Sequence, residues 1–220
     1  MQQIGFVGLG AMGSVMAPIP ARAGFQVIGF DTAPQLPDLA NVANASSLID
    51  LAACDMVITM LPDGSVVAAV ATALAKAGFQ GLIIDMSSSH PDDTIKLGAR
   101  LAARGIRLID APVSGGVKKA ASGTLMVMAG GTANDIAAAS ALISCFGTMQ
   151  HVGPLGAGHA MKALNNYVSA AGLLASMQAL ATAESFGISA DKFTSVINGS
   201  TGRNNTTEVK MMPFIASRQY

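Results

Sequence analysis

Tryptophan is absent from the 220 residues, and cysteine (two) and histidine (three) are scarce. Cys54 and Cys145 stand far apart without CxxC spacing, which excludes a disulfide framework and leaves reduced cytosolic thiols as the expectation. His90, His151 and His159 lack i,i+4 spacing and cysteine neighbours, so no metal site is expected. Charge is also sparse, at 12% of residues with 13 basic against 13 acidic. A chain so balanced has no basic footprint for nucleic acid or for an anionic membrane surface. The N-terminus enters an apolar run at once, with no basic segment ahead of it, so no signal peptide is read and the cytoplasm is the expected location. Between Lys162 and Glu184 no charged residue occurs, long enough for a bilayer. Asn165, Asn166, Ser169, Ser176, Gln178 and Thr182 interrupt that stretch, which reads instead as a buried helix of a soluble protein.

What the chain has in abundance is apolar residues (51%) and 24 glycines, arranged in alternating patterns. Short β-rich runs are expected near Ile4–Gly8, Val27–Phe30, Met56–Met60, Leu82–Met86, Leu108–Asp110 and Leu125–Ala129, with a shorter one at Gln150–Val152. Helical patterns fall between them, near Ala11–Ala23, Ser65–Ala77, Asp92–Arg104 and Asn134–Cys145. Apolar strands alternating with helices predict a mainly parallel sheet covered on both faces. From Gly156 onward only helical signals occur: Ala157–Phe186, Ala190–Asn198 and Val209–Ser217. Residues 1–155 and 156–220 are therefore read as two domains, divided near "GPLGAG".

The stretch "IGFVGLGAMG" carries Gly8-x-Gly10-x-x-Gly13. The triad follows a strand, opens a helix and precedes a second strand that ends at Asp31, the setting a dinucleotide site requires. Gly8 permits the tight turn, Gly10 lets backbone approach a pyrophosphate, and Gly13 lets helix and strand pack closely. The fold class is thus an α/β, Rossmann-type, doubly wound sheet followed by an all-helical C-terminal domain. Asp31 suits the ribose hydroxyls of NAD and repels a 2′-phosphate, and no arginine follows in Thr32, Ala33 and Pro34; NADP is disfavoured. Pro18 and Pro20 fit badly inside the first helix, where each removes a donor.

Three further stretches leave strands at the ligand-binding edge: "MLPDGSVV" (60–67), "DMSSSHP" (85–91) and "DAPVSGG" (110–116). Ser114 with the N–H groups of Gly115 and Gly116 suits a carboxylate, though the same residues suit a plain turn. In "GAGHAMKALNN" (156–166), Lys162 and Asn166 share one helix face, with Ser169 a turn further on. A lysine there suits proton transfer, its pKa depressed by the helix's positive end and an oxidised nicotinamide, though it equally suits snorkelling into water. His90 and His159 fall in cleft segments and are placed to touch a ligand.

"GFVGLGAMG", "ITMLP", "DMSSSHP", "DAPVSGG" and "GAGHAMKALNN", in this order, resemble the β-hydroxyacid dehydrogenase family, 3-hydroxyisobutyrate dehydrogenase among its members. The resemblance implies that Gly8, Leu9, Gly10, Ala11, Met12 and Gly13 hold the NAD pyrophosphate and Asp31 the adenosine ribose. Leu61, Pro62 and Ser88 would line the cofactor, and Ser114, Gly115 and Gly116 would bind the carboxylate of a small hydroxy acid. Lys162 would be the general acid/base and Asn166 would position the substrate. It further implies subunit contacts along the long helix, hence a homodimer or homotetramer. The related 6-phosphogluconate dehydrogenases usually carry histidine where Asn165 stands, and imine reductases generally lack the lysine. The 31–55 segment looks short, and relatives continue past "FIASRQY" with a Lys-Asp motif. Cover for the long helix is therefore expected from a subunit partner along residues 163–183 or from a longer natural chain. A non-catalytic NAD-binding or interaction protein is the rival reading.

Overall fold

In the computed structural model, which describes residues 2–33 and 38–219, the apolar runs become strands buried on both faces. Strands β1 (Gln3–Val7), β2 (Gln26–Phe30), β3 (Val42–Asn44), β4 (Met56–Thr59), β5 (Leu82–Asp85) and β6 (Arg107–Asp110) are parallel neighbours in the order β3-β2-β1-β4-β5-β6. The far edge is mixed. Strands β7 (Val113–Ser114) and β8 (Leu125–Gly130) pair antiparallel to their neighbours, and β9 (Gly147–Gly153) runs parallel to β8. A mainly parallel, doubly wound, Rossmann-like sheet results.

Because side chains alternate along each strand, the sheet presents two apolar faces. Ile4, Phe6, Ile58, Ile84, Ile109 and Val127 join one core with Met16 and Ile136, while Val7, Val57, Ile83 and Leu108 join a second with Val67, Leu74, Leu97 and Leu101. The helices that cover these faces start where the chain supplies caps. Asp63 accepts from the Ser65 and Val66 amides to begin α3 (Gly64–Lys76), and Thr132 caps α6 (Ala133–Ile143). Pro91 opens α4 (Pro91–Ala102) with Asp92 and Asp93 in its first turn.

The helical stretch read over 11–23 is interrupted at the prolines that fit it badly. It is broken into α1 (Gly13–Met16) and α2 (Pro18–Arg22), because Pro18 has no N–H to continue the ladder and starts a new helix instead. Beyond the runs read from the sequence lie β3, a 3₁₀ turn over Leu48–Ala53, β7 and the short helix α5 (Gly116–Ala121). The strand expected at 150–152 is longer, spanning all of β9. Residues 34–37, including Pro34 beside Asp31 and part of the short 31–55 segment, lie outside the described residues.

By contacts the chain forms two units, Met1–Lys162 and Ala163–Tyr220. The second contains most of α7 (Ala157–Ser185), then α8 (Ala190–Asn198) and α9 (Asn205–Val209), around a small core of Leu180, Ala183, Phe193 and Met211. The helical segment expected over 209–217 is a π-helical turn over Met211–Ala216, and ahead of it Asn204 caps α9. Among the described residues no helix is long and apolar enough to cross a membrane.

Candidate dinucleotide and substrate site

Strand order reverses between β1 and β4: from β1 the chain winds outward to β3, then from β4 the other way to β6. Loops leaving two such strands diverge, opening a crevice at their carboxyl ends. A cavity of about 560 Å³ lies there. Gly8, Gly10, Ala11, Met12 and Gly13 line one side of it, Asp31 and Thr32 another, and Leu61 and Pro62 a third.

The three glycines differ in what surrounds them. Gly8 has φ +97°, and a Cβ there would collide with the Met60 carbonyl. A Cβ on Gly13 would collide with the Gly8 carbonyl oxygen and crowd Phe6. Gly10 is exposed, with nothing within 4 Å of where its Cβ would stand. The loop is therefore packed tightly beneath and bare on its outer side, which fits a pyrophosphate laid against its backbone. Because Pro18 breaks the helix, α1 alone brings only four residues of aligned dipole to that end.

Asp31 follows the last residue of β2, half-buried. One carboxylate oxygen accepts the Leu9 amide at 2.6 Å and the other accepts the Ala33 amide at 3.0 Å. Leu9 itself is buried beneath the loop, 5% exposed. The Leu61 amide donates to Ser87 Oγ at 2.9 Å, and Ser87 N donates to Asp85 Oδ1 at 3.0 Å. Ser87, which sequence reasoning did not single out, thus holds the Leu61 loop. Its neighbour Ser88 is exposed and absent from the cavity lining.

At the antiparallel edge, Ser114 ends β7 opposite Met126, half-exposed, and Gly115 (φ +143°) and Gly116 (φ +70°) follow, both exposed. The opening of α7 is held from a distance: Asp110 Oδ1 accepts the Gly156 amide at 2.8 Å and Oδ2 the His159 amide at 2.7 Å. A carboxylate at the end of β6 therefore caps this helix across more than forty residues of sequence. The amides at the helix's positive end are taken up by Asp110, and desolvation lowers the Lys162 pKa. Lys162 is half-buried, and Asn166 is exposed four residues further along α7.

Of the histidines, His159 departs from the expected place. His159 is 1% exposed, enclosed by Thr94, Asp85 and Asp110, and is not free to touch a ligand. His90 is exposed at the N-cap of α4, and His151 bonds the Gly131 and Gly153 carbonyls.

A glycine loop and carboxylate at the switch point of a doubly wound sheet, followed by a helical segment, define an NAD-binding protein of the Rossmann type. Comparison with known proteins narrows this. Residues 3–154 match the family described as the NAD binding domain of 6-phosphogluconate dehydrogenase, and residues 156–220 match the NAD-binding family of NADP-dependent 3-hydroxyisobutyrate dehydrogenase. The 2-(hydroxymethyl)glutarate dehydrogenase of Eubacterium barkeri is 34% identical, over 99% of this chain and 75% of that protein. A probable 3-hydroxyisobutyrate dehydrogenase of Mycobacterium tuberculosis is 40% identical, over 92% of this chain and 71% of its own length. The solved structure of a Mycobacterium tuberculosis 3-hydroxyisobutyrate dehydrogenase with L-serine superposes with a TM-score of 0.89 at 37% identity, covering 96% of this chain and 74% of that one. The mitochondrial 3-hydroxyisobutyrate dehydrogenase of Drosophila melanogaster is longer still, and this chain spans 66% of it. The chain belongs to the β-hydroxyacid dehydrogenase family and carries its NAD-binding domain.

Proposed function

We propose that this protein is an NAD-dependent oxidoreductase acting on a small β-hydroxy acid of the 3-hydroxyisobutyrate kind, with Lys162 as general acid/base. The observation that carries the proposal is Lys162 itself. It is a half-buried lysine whose pKa is lowered by desolvation, on a helix whose start is pinned to the ligand-binding edge of the sheet. Desolvation favours the neutral amine, the form that can take a hydroxyl proton.

Gly8 through Gly13, Leu61 and Pro62 would hold the dinucleotide, with Ser88 beside them, and Asp31 would take the ribose hydroxyls. A bound nicotinamide supplies the hydride acceptor. The Ser114 hydroxyl and the Gly115 and Gly116 amides would bind the substrate carboxylate, and Asn166 would orient the hydroxyl. In oxidation the hydroxyl proton passes to Lys162 Nζ as the carbon–oxygen double bond forms; in reduction Lys162 returns it. The family relatives named for 3-hydroxyisobutyrate and 2-(hydroxymethyl)glutarate support this substrate class, in which a hydroxymethyl group lies one carbon from a carboxylate. Cytoplasmic location and a homo-oligomeric state belong to the same proposal.

The test is Lys162→Ala, assayed by NADH absorbance with 3-hydroxyisobutyrate, 2-(hydroxymethyl)glutarate, L-serine, glycerate, threonate and 6-phosphogluconate. Turnover should fall roughly 10²–10⁴-fold, while calorimetric NAD affinity stays within a few-fold. Near-normal turnover would remove Lys162 from the chemistry. NAD binding without turnover of any hydroxy acid by the unaltered protein would favour the non-catalytic reading.

A further inference from the structure

Two carboxylates meet side by side in the interior of the first unit. Asp85 and Asp110 are register partners on the parallel strands β5 and β6, 2% and 0% exposed. Asp85 Oδ1 accepts from Thr59 Oγ1 at 2.9 Å and from Ser87 N at 3.0 Å, and Oδ2 accepts from Ser89 Oγ at 3.0 Å. Asp110 caps α7 as described. His159, from the first turn of α7, lies against both.

Its ring makes three contacts. Nδ1 is 2.9 Å from Thr94 Oγ1 and 3.6 Å from Asp110 Oδ2, while Nε2 is 3.6 Å from Asp85 Oδ2. Thr94 Oγ1 also lies 3.2 Å from the His90 carbonyl, which ties the same hydroxyl to the start of α4. Nε2 is buried without a hydrogen-bond partner, and the polar group it faces is Asp85. Burial pushes the Asp110 carboxyl above its usual range, opposed by the His159 and Gly156 amides. Among the described residues, no other basic side chain comes within 4.0 Å of either carboxylate.

The helix start is also pressed against the strands. A Cβ on Gly158 would collide with the Met128 carbonyl and stand 2.9 Å from Asp110 Oδ2. A Cβ on Gly130 would collide with Asp110 Oδ1. From this cluster two short paths lead outward. Lys162 is three residues beyond His159 on the same helix. Asp85 holds Ser87, whose hydroxyl holds the Leu61 amide of the cofactor cavity.

We propose that His159 is a positioning residue: with Asp85, Asp110 and Thr94 it brackets the opening turn of α7 and sets where Lys162 stands relative to the Leu61 loop. This rests on Lys162 being the acid/base of the proposed reaction. The ring's contacts come from three elements, β5, β6 and α4, so losing its polar atoms leaves the helix start held by the Asp110 cap alone, without the side-chain ties to Asp85 and Thr94. A displacement on the order of 1 Å at a reacting group costs about 10²-fold in rate. It also admits water to Lys162.

The test compares His159→Leu, which keeps bulk without polar contacts, with the milder His159→Gln, whose amide can still hydrogen-bond Thr94. In His159→Leu, kcat should fall roughly 10–100-fold with KM for NAD little changed, and His159→Gln should recover part of the loss. The midpoint of Lys162 titration, followed by NMR of labelled lysine in the cofactor-free protein, should rise toward the ordinary lysine value, and the pH profile of kcat should move with it. In a double-mutant cycle with Asp85→Asn the losses in kcat should be non-additive. Rates are taken per NAD-binding site by titration, so misfolded protein does not count. An unchanged Lys162 titration, or additive losses, would overturn the bracket. Retained turnover in Lys162→Ala would sink the catalytic reading separately, and the titration of Lys162 would still report on His159.

Discussion

Asp31 holds two backbone amides, yet its carboxylate still borders the cavity, with lone pairs to spare for a ribose diol. A 2′-phosphate in the same place would meet like charge, and Thr32 and Ala33 offer no compensating cation. We expect kcat/KM with NAD to exceed that with NADP by about tenfold or more, one ion-pair-sized penalty. Asp31→Asn should narrow the ratio chiefly by raising KM for NAD. Equal efficiency with both cofactors in the unaltered protein would refute the assignment. The sign of the pH dependence at Lys162 follows from its cause. Desolvation disfavours the ammonium, so the neutral amine persists to lower pH than for an exposed lysine. In the proposed reaction oxidation needs the amine, and its kcat should rise with pH through a midpoint below the ordinary lysine range. Reduction needs the ammonium and should fall through the same midpoint. Lys162→Arg, always protonated, should abolish the rising limb in stopped-flow or steady-state pH profiles.

At the scale of elements, the β1–α1 turn separates folding from binding within six residues. A methyl group on Gly13 has nowhere to go, since it meets the Gly8 carbonyl and Phe6 where helix crosses strand. Gly13→Ala should destabilise the protein by about 2 kcal/mol or more, an overpacking cost, read as a lower denaturation midpoint. Gly10→Ala meets no protein atom within 4 Å and should leave that midpoint almost unchanged. It should nonetheless weaken NAD binding at least tenfold, about 1.4 kcal/mol, because in the proposed site the methyl would stand where the pyrophosphate approaches. Equal stability of the two variants, or undiminished NAD affinity in Gly10→Ala, would contradict this division. The break at Pro18 belongs to the same scale: proline in the body of a helix is visible in the sequence, and the structure resolves it as two short helices in series.

For the molecule as a whole, α7 presents Leu164, Tyr167, Val168 and Leu174 at helical spacing on one stripe, all more than half exposed. Contiguous apolar surface of this kind marks an interaction face. We expect concentration-dependent self-association in sedimentation velocity, reversed by Val168→Asp with Leu174→Asp. A monomer at every concentration would count against a homo-oligomer built on this helix.

Local chemistry determines much of this protein. Strand runs such as Met56–Thr59 and Leu82–Asp85 are legible because burial on both faces demands continuous apolar residues, and the glycine loop because its spacing is set by turn geometry. The helix over 190–198 is legible from its cap at Ser189 and its apolar period. The three-residue strand β3 is not, since its pairing with β2 supplies what its own sequence lacks. Ser87, His159 and the cap at Asp110 are settled by tertiary structure alone. Parallel register brings Asp85 beside Asp110, and the return of the chain at Gly156 sets a helix end on both. No local pattern encodes a contact between residues 46 to 74 positions apart. Such groups are polar, which suggests a surface, and only the packing of four elements around them makes their burial affordable.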